Sequence, residues 1–135
     1  MTQPRTPLAK LLLFLITALL TLTGSLSAAT INVPGDFGTI QAAIADAGTV
    51  NGDEIIVSPG TYLEAINFDG KAVTVRSASG DPADTIIDGG GSSTVVTCDS
   101  GETSTTVLDG FTITNGSATY GGGMYNLNSS SPTVT

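Results

Sequence analysis

The order of apolar and polar residues predicts one short helix near residue 40. Apolar side chains recur there at positions i, i+3, i+4 and i+7, which places them on one helix face, and they are Ile40, Ala43, Ile44 and Ala47. Thr39 is suited to cap the amino end of this helix, and Gly48 to stop it. Because a helix of about ten residues is unstable alone, we expect its apolar face to pack on the next predicted strand, residues 54–58.

The rest of the chain alternates short β-prone runs with turn residues. The runs are rich in Val, Ile, Thr and Phe and cover residues 30–33, 54–58, 65–68, 73–76, 85–87, 94–98, 105–108, 111–114 and 133–135. Turn pairs such as Pro59-Gly60 and Asp69-Gly70 separate them. Such a regular series of short strands first suggests a sandwich or a barrel.

An internal repeat favours a solenoid instead. Residues 85–89 (Thr-Ile-Ile-Asp-Gly) match residues 106–110 (Thr-Val-Leu-Asp-Gly) at an offset of 21. Spacings near 20 with one recurring turn are typical of coils that stack to bury a shared core. In a parallel β-helix this offset would place Ile87 near Leu108. Chance matching of Asp-Gly pairs, or a meander sandwich that needs no fixed offset, remains the alternative.

Two groups of segments resemble known β-helix families. The first group, residues 35–44, 55–64 and 71–75, resembles the amino-terminal end of pectin-lyase-like right-handed parallel β-helix proteins, pectin methylesterases included. The second group, residues 110–115, 121–125 and 130–134, is similar to repeats of exported β-helix proteins of the polymorphic outer-membrane type. The resemblance implies that the helix caps the first coil.

The predicted fold is therefore all-β, a right-handed parallel β-helix with a short amino-terminal capping α-helix. We assign residues 30–135 to this one domain and expect it to be incomplete at its carboxyl end, because the last predicted strand reaches Thr135. An uncovered last coil exposes strand edges. We therefore expect self-association through that coil.

Residues 1–29 have the three parts of an export signal. Arg5 and Lys10 precede an apolar run at 11–22, and small residues follow at 25–29. We predict cleavage after Ala29 and a secreted or cell-surface location, the outer membrane included. An uncleaved anchor is the alternative, but the apolar run is short of the roughly 20 residues that a bilayer needs.

The mature chain is strongly acidic. It keeps two basic residues, Lys71 and Arg76, against twelve acidic ones, a net charge of −10. Long-range repulsion argues against nucleic acid and anionic lipid as partners, and no membrane span is predicted in the mature part. The single cysteine, Cys98, excludes an internal disulfide and is expected to be a buried apolar residue.

The sequence supplies no catalytic set. In the resembled families, catalysis depends on residues of later coils: paired aspartates with an arginine in the esterases, and calcium-binding acids with a basic residue in many lyases. Histidine is absent from this chain, and we interpret Lys71 as a solvated turn residue. We predict no catalytic residue, and the ligand, if there is one, is unknown.

Calcium is the one cofactor that the acidic residues suggest, because it prefers oxygen ligands. Asp88 and Asp109, one predicted coil apart, are expected to stack, and Asp99 and Glu102 lie on a neighbouring turn. Aspartate before glycine is also common in ordinary turns, because its side chain accepts hydrogen bonds from nearby backbone amides. We favour the turn interpretation and predict no metal site.

Three further features receive structural interpretations. Gly121–Gly123 lacks the Lys-Ser/Thr of a phosphate loop. The triplets at Asn115 and Asn128 fit the glycosylation acceptor pattern, which Asn- and Ser-rich coils produce freely. The three tyrosines would form a sugar-stacking face if all pointed outward, but turn packing is the simpler interpretation; they are Tyr62, Tyr120 and Tyr125.

Two functions fit these observations. The leading hypothesis is a non-catalytic exported β-helix module with a structural, adhesive or surface role, whose partners are extracellular polysaccharide or cell-surface components. The alternative is the amino-terminal part of a carbohydrate-active β-helix enzyme, a polysaccharide lyase or an esterase of the pectin type. A fold shared by such different proteins does not choose between them.

Overall fold

A computed structural model describes residues 27–135, which form a parallel β-solenoid of about four turns with one short helix. The predicted signal peptide lies outside the described residues, except for its last three positions. The elements are β1 (Thr30–Val33), α1 (Ile40–Ala45), β2 (Glu54–Val57), β3 (Gly60–Leu63), β4 (Ile66–Asn67), β5 (Thr74–Ser77), β6 (Thr85–Asp88), β7 (Val96–Cys98), β8 (Val107–Asp109), β9 (Thr112–Thr114), β10 (Met124–Asn126) and β11 (Thr133–Val134). The predicted all-β parallel β-helix with a short helix is confirmed.

The strands form three parallel sheets that wind around one interior. The long sheet has the order β1-β2-β5-β8-β11, and the two shorter sheets have the orders β3-β6-β9 and β4-β7-β10. Each complete coil therefore gives one strand to each sheet: β2-β3-β4 in the second coil, β5-β6-β7 in the third and β8-β9-β10 in the fourth. The first coil holds β1 and α1. Among these strands, the sequence patterns missed β3 and β10.

The coil length varies, and the predicted offset of 21 is not the coil repeat. In the long sheet Glu54 lies in register with Thr74, 20 residues later, whereas Thr74 lies in register with Val107, 33 residues later. Ile87 and Leu108 are both buried but belong to different sheets, so their predicted stacking is wrong. The matched Asp-Gly turns end strands at two different corners of the coil, because the same local chemistry suits both corners.

Aliphatic side chains fill the interior of the solenoid. In β2 and β5 the inward positions alternate with outward ones, as expected for strands with one buried face. The core consists of Val33, Ile40, Ala43, Ile44, Ile55, Val57, Ile66, Phe68, Val73, Val75, Ile87, Val95, Val96, Cys98 and Leu108. Cys98 is fully buried, as predicted. Burial, with nearby Glu102 and Asp99, raises the pKa of its thiol to about 12 and makes it unreactive.

Helix α1 is shorter than predicted. Its start is confirmed, because the Thr39 hydroxyl accepts a hydrogen bond from the Ala42 amide at 3.1 Å. Its end is different: the chain leaves the helix at Asp46, whose carboxylate accepts a hydrogen bond from the Gly48 amide at 2.8 Å. An aspartate that bonds the backbone two residues later competes with continued helix. Ala47 consequently lies outside the helix and is exposed.

Charged side chains of the second coil hold both ends of α1. The Glu64 carboxylate accepts hydrogen bonds from the Ile40 and Gln41 amides, each at 2.9 Å. At the other end the Lys71 ammonium donates to the carbonyls of Ile44 and Asp46, at 2.6 and 2.7 Å. Each charge has the sign that favours its end of the helix dipole. The interpretation of Lys71 as a solvated turn residue is therefore wrong.

The side chain of Gln41 completes the contact between α1 and the second coil. Its carbonyl oxygen accepts a hydrogen bond from the Asn67 amide at 2.6 Å, and its amide nitrogen donates to the Asn67 carbonyl at 3.3 Å. Asn67 lies in β4, the first strand of its sheet. Gln41 therefore provides the pairing that a neighbouring strand would supply, and it protects an edge that would otherwise be open. The predicted role of the helix as a cap is consistent with this contact.

None of the helices in residues 27–135 has the length and apolar character needed to cross a membrane. This agrees with the prediction that the mature part contains no membrane span.

Replacing Lys71 with methionine tests the helix clamp. The change keeps the apolar stem and removes two charge-assisted hydrogen bonds, so we expect the free energy of unfolding to fall by about 1.5–3 kcal/mol. Arg76→Met is the matched control, because Arg76 makes a half-exposed ion pair and its loss should cost less than about 1 kcal/mol. Urea denaturation of both variants measures the difference. Equal losses would contradict the clamp.

Candidate functional site

A shallow groove of about 380 Å³ lies where the β3–β4 and β6–β7 turns meet. Its lining residues are Leu63, Glu64, Ala65, Asp88, Gly89, Gly90, Ser92 and Ser93. Leu63 stands at this groove with 76% of its surface exposed. The groove therefore combines two carboxylates and two hydroxyls with two apolar side chains, of which Leu63 is the larger. We refer to it as the turn groove.

Both carboxylates of the turn groove have structural partners. Glu64 binds the amino end of α1, as described above. Asp88 accepts hydrogen bonds from the Gly90 amide at 2.8 Å and from the Asn115 side-chain amide at 2.9 Å. Carboxylate oxygens keep further lone pairs, so the groove is able to accept hydrogen bonds from a hydroxyl-bearing ligand. It offers no basic side chain to such a ligand.

The second basic residue lies on the outer face of the long sheet. Arg76 Nε is 2.5 Å from Glu54 Oε1, and Arg76 lies in register with Asp109 on the next strand. The hydrogen bond to Glu54 raises the pKa of Arg76, burial opposes this, and the charges of Glu54 and Asp109 add to the rise. Arg76 is therefore a permanently charged residue between two carboxylates. It cannot act as a proton acceptor at neutral pH.

The predicted stack of Asp88 and Asp109 does not exist. Asp88 belongs to β6 and lies in register with Leu63 and Thr114, whereas Asp109 belongs to β8 in the long sheet. The two residues share a turn sequence but occupy different corners of the coil. Within residues 27–135, no three acidic or cysteine side chains come together in a group able to hold a metal ion.

Glu102 joins three coils through one buried carboxylate. It accepts hydrogen bonds from the Gly70 amide at 2.8 Å, the Ser100 amide at 3.0 Å and the Ser130 hydroxyl at 2.7 Å. Only 2% of its surface is exposed. Burial raises the pKa of Glu102, but the bonds from Ser130 and the backbone amides outweigh burial and leave the pKa below its ordinary value. The carboxylate is therefore ionised at neutral pH and acts as a structural acceptor.

The two asparagine triplets and the glycine run have structural roles. Asn115 and Asn128 both adopt left-handed backbone conformations, and their side-chain amides donate to Asp88 and to the Asp99 carbonyl. The glycine run continues the parallel pairing instead of forming a phosphate loop, because the carbonyls of Gly122 and Gly123 accept from Val95 and Val96 amides.

The tyrosines do not form one face. Tyr62 lies in β3 and donates a hydrogen bond to the Ser58 carbonyl at 2.9 Å. Tyr125 lies in β10, on another sheet, and Tyr120 lies in the loop before it with 74% of its surface exposed. A sugar-stacking face made of all three side chains is therefore excluded by their positions.

Sequence patterns missed the long-range contacts that organise this region. Glu64, Gln41 and Glu102 act on backbone groups that lie 23 to 32 residues away along the chain. No local motif marks such contacts, because their geometry depends on the coil register. The capping role of Thr39 was visible because its partner is three residues away.

Comparisons with protein-family models, with curated proteins and with solved structures gave no match.

The pH dependence of stability tests the role of Glu102. Because its folded-state pKa lies below the ordinary value of 4.5, its stabilising effect is complete above that pH and is lost as pH falls through the lower, folded-state pKa. We expect Glu102→Gln to destabilise the chain by about 1–3 kcal/mol at pH 7, and the gap to the wild type to narrow below pH 4.5.

Thermal melts between neutral and acid pH measure this gap. Asp99→Asn, in the same turn, is the control, since Asp99 accepts longer bonds of 3.3 and 3.2 Å from Asn67 and Ser100. A Glu102→Gln gap that is unchanged in acid would contradict the assignment.

Calcium addition tests the turn interpretation of the acidic residues. Asp88 and Glu102 already accept hydrogen bonds from backbone amides. We therefore expect millimolar calcium to leave the melting temperature unchanged. A ligand that binds only the folded state would raise it. A rise that saturates with calcium and is absent with magnesium would establish a calcium site and overturn the expectation.

Proposed function

We propose that this chain is a non-catalytic, exported β-helix module with a structural, adhesive or surface role. One observation carries the proposal. The described residues contain two basic side chains, Lys71 and Arg76, and both are held in structural contacts.

The acidic residues support the same conclusion. A general acid or base must reach a substrate proton and have a pKa near the working pH. Glu64 and Glu102 instead accept hydrogen bonds from backbone amides, and the pKa of Glu102 lies below its ordinary value. Cys98 is buried and its raised pKa disfavours a nucleophilic thiolate. These groups stabilise coils and supply no proton-transfer pair.

The proposed partners are extracellular polysaccharide or components of a cell surface. The turn groove supports this, because its carboxylates and hydroxyls accept hydrogen bonds from sugar hydroxyls and Leu63 gives an apolar contact. The net charge of −10 in the predicted mature chain, residues 30–135, makes a neutral polysaccharide a better candidate than a polyuronate, which would be repelled.

A carbohydrate-active enzyme is the second candidate. The resemblance to pectin-lyase-like proteins favours it, and Arg76 on the outer face of the long sheet is the residue that would contact a substrate carboxylate. Glu54 competes for that guanidinium, and Asp109 adds a second negative charge beside it. This competition makes the catalytic candidate weaker than the structural one.

Incubation with uronate polymers separates the two functions. The full chain, secreted from an expression host, is mixed with polygalacturonate and with methyl-esterified pectin, with and without calcium. We expect neither unsaturated products nor released methanol, because no proton-transfer pair is available. Turnover that Arg76→Ala abolishes and Leu63→Ala preserves would overturn the structural proposal in favour of the enzyme.

Self-association through the last coil is part of the proposed role. Residues 110–135 contain no charged side chain, although the mature chain has a net charge of −10. Three of the four exposed large hydrophobic residues lie in this segment, namely Tyr120, Leu127 and Val134. Within the described chain, β9, β10 and β11 are the last strands of their sheets. Two copies would therefore meet the least charge repulsion at residues 110–135.

A lysine on the last strand tests this association. Charged residues on edge strands oppose pairing with a second chain, so we expect Val134→Lys to weaken self-association at least tenfold. Leu63→Lys is the matched control, because it places the same charge on an exposed leucine outside the last coil. Sedimentation over a range of concentrations measures both variants. A wild-type chain that stays a monodisperse monomer with a cooperative melt would contradict the prediction.

A further inference from the structure

The buried carboxylate of Asp53 binds Ala29, the residue immediately before β1. One oxygen accepts a hydrogen bond from the Ala29 amide at 2.7 Å, and the other accepts from the Val50 amide at 2.8 Å. Only 2% of the Asp53 surface is exposed. These bonds lower the pKa of Asp53, so its carboxylate is charged and both oxygens need donors.

Ala29 is bound through its carbonyl as well. Its oxygen accepts a hydrogen bond from the Glu54 amide at 2.9 Å, which continues the parallel pairing of β1 with β2 by one residue. Loss of Ala29 would remove a donor from the Asp53 carboxylate and an acceptor from the Glu54 amide. An unpaired buried polar group destabilises a fold. The folded solenoid therefore includes Ala29.

The end of the export signal offers two cleavage positions. Signal cleavage requires small residues one and three positions before the cut bond. Ser25 and Ser27 satisfy this for the bond between Ser27 and Ala28, whereas Ser27 and Ala29 satisfy it for the bond between Ala29 and Thr30. The bond between them has Leu26 at the third position and is disfavoured. The pattern of small residues fits both of the other bonds, although the cut predicted from sequence is the one after Ala29.

We infer that processing hydrolyses the Ser27–Ala28 bond, so that Ala29 stays in the mature chain to bind Asp53. Water adds across this peptide bond and leaves a carboxylate on Ser27 and an amino group on Ala28. The cut lies two residues before the position predicted from sequence. The inference rests on the proposed export, because only an exported chain meets a signal peptidase.

The amino group that cleavage creates on Ala28 lies in a favourable electrostatic environment. It lies one residue before the amide that Asp53 binds, in a chain with twelve acidic and two basic residues after the signal. Ala28 is exposed, so its ammonium remains hydrated. Cleavage at Thr30 would instead place the ammonium on the first residue of β1 and remove both bonds of Ala29.

The test uses the full chain expressed in a secreting bacterial host, followed by amino-terminal sequencing and intact mass measurement. We expect the exported protein to begin at Ala28. A mature chain beginning at Ala29 or Thr30 would overturn this inference and leave the export proposal standing. An uncleaved chain held in the membrane would overturn this inference alone, whereas an uncleaved chain that stays inside the cell would overturn the export proposal as well.

Two matched variants sharpen the test. Ser25→Leu removes the small residue required for the Ser27–Ala28 bond only, and Ala29→Leu removes the one required for the Ala29–Thr30 bond only. We expect Ser25→Leu to move the mature start to Thr30 and Ala29→Leu to leave it at Ala28. The opposite pattern would overturn the inference.

The shifted product also tests the physical basis. Residue 25 is removed in both cases, so the mature Ser25→Leu protein differs from the wild type only by the loss of Ala28 and Ala29. We expect its melting temperature to be lower by about 5 °C, since the hydrogen bonds of Ala29 are lost. Equal melting temperatures would show that the fold does not need Ala29 and would overturn the argument.

Discussion

Backbone pairing between stacked coils is the constraint on which this molecule depends. Each strand of a parallel solenoid bonds the coil before it and the coil after it, so unpaired groups collect at the two ends. At the amino end, α1 covers the interior with Ile40 and Ile44, and Gln41 supplies the missing pairing for Asn67. Glu64 and Lys71 fix the helix in this place because they bind its two ends with the appropriate charges. A helix of six residues would not persist without these contacts.

At the corners of the coils, acidic side chains accept hydrogen bonds from backbone groups that lack strand partners. Coils of unequal length need turns of unequal shape, and the turns leave backbone amides without strand partners. Glu102 binds amides or hydroxyls of three coils, and Asp88 binds its own turn and the side chain of Asn115. Much of the negative charge is therefore a consequence of how the turns are closed. An excess of carboxylates in such a chain is weak support for a metal site, since those carboxylates already have donors.

The sequence predicted the local elements well and the register poorly. The strand runs and the Thr39 cap depend on neighbours a few residues away, and they lie where the pattern placed them. The offset of 21 did not give the coil repeat, because the Asp-Gly pair suits turns at different corners of the coil. Strand β3 was missed because Pro59-Gly60 signals a turn, and β10 because glycines precede it. The contacts of Glu64, Gln41 and Lys71 were invisible because they require the coil register to be known first.

The first and last coils of the described residues differ in their charged side chains. At the amino end, Glu64 and Lys71 bind backbone groups of α1, and Gln41 binds the backbone of β4. The last coil has no charged side chain in residues 110–135 and exposes Tyr120, Leu127 and Val134. Elsewhere the surface is acidic, so close approach of another acidic surface is opposed by long-range repulsion. Glu64, Lys71 and Glu102 are bound to backbone groups of neighbouring coils, so the contacts that fix the register also place much of the charge on this surface.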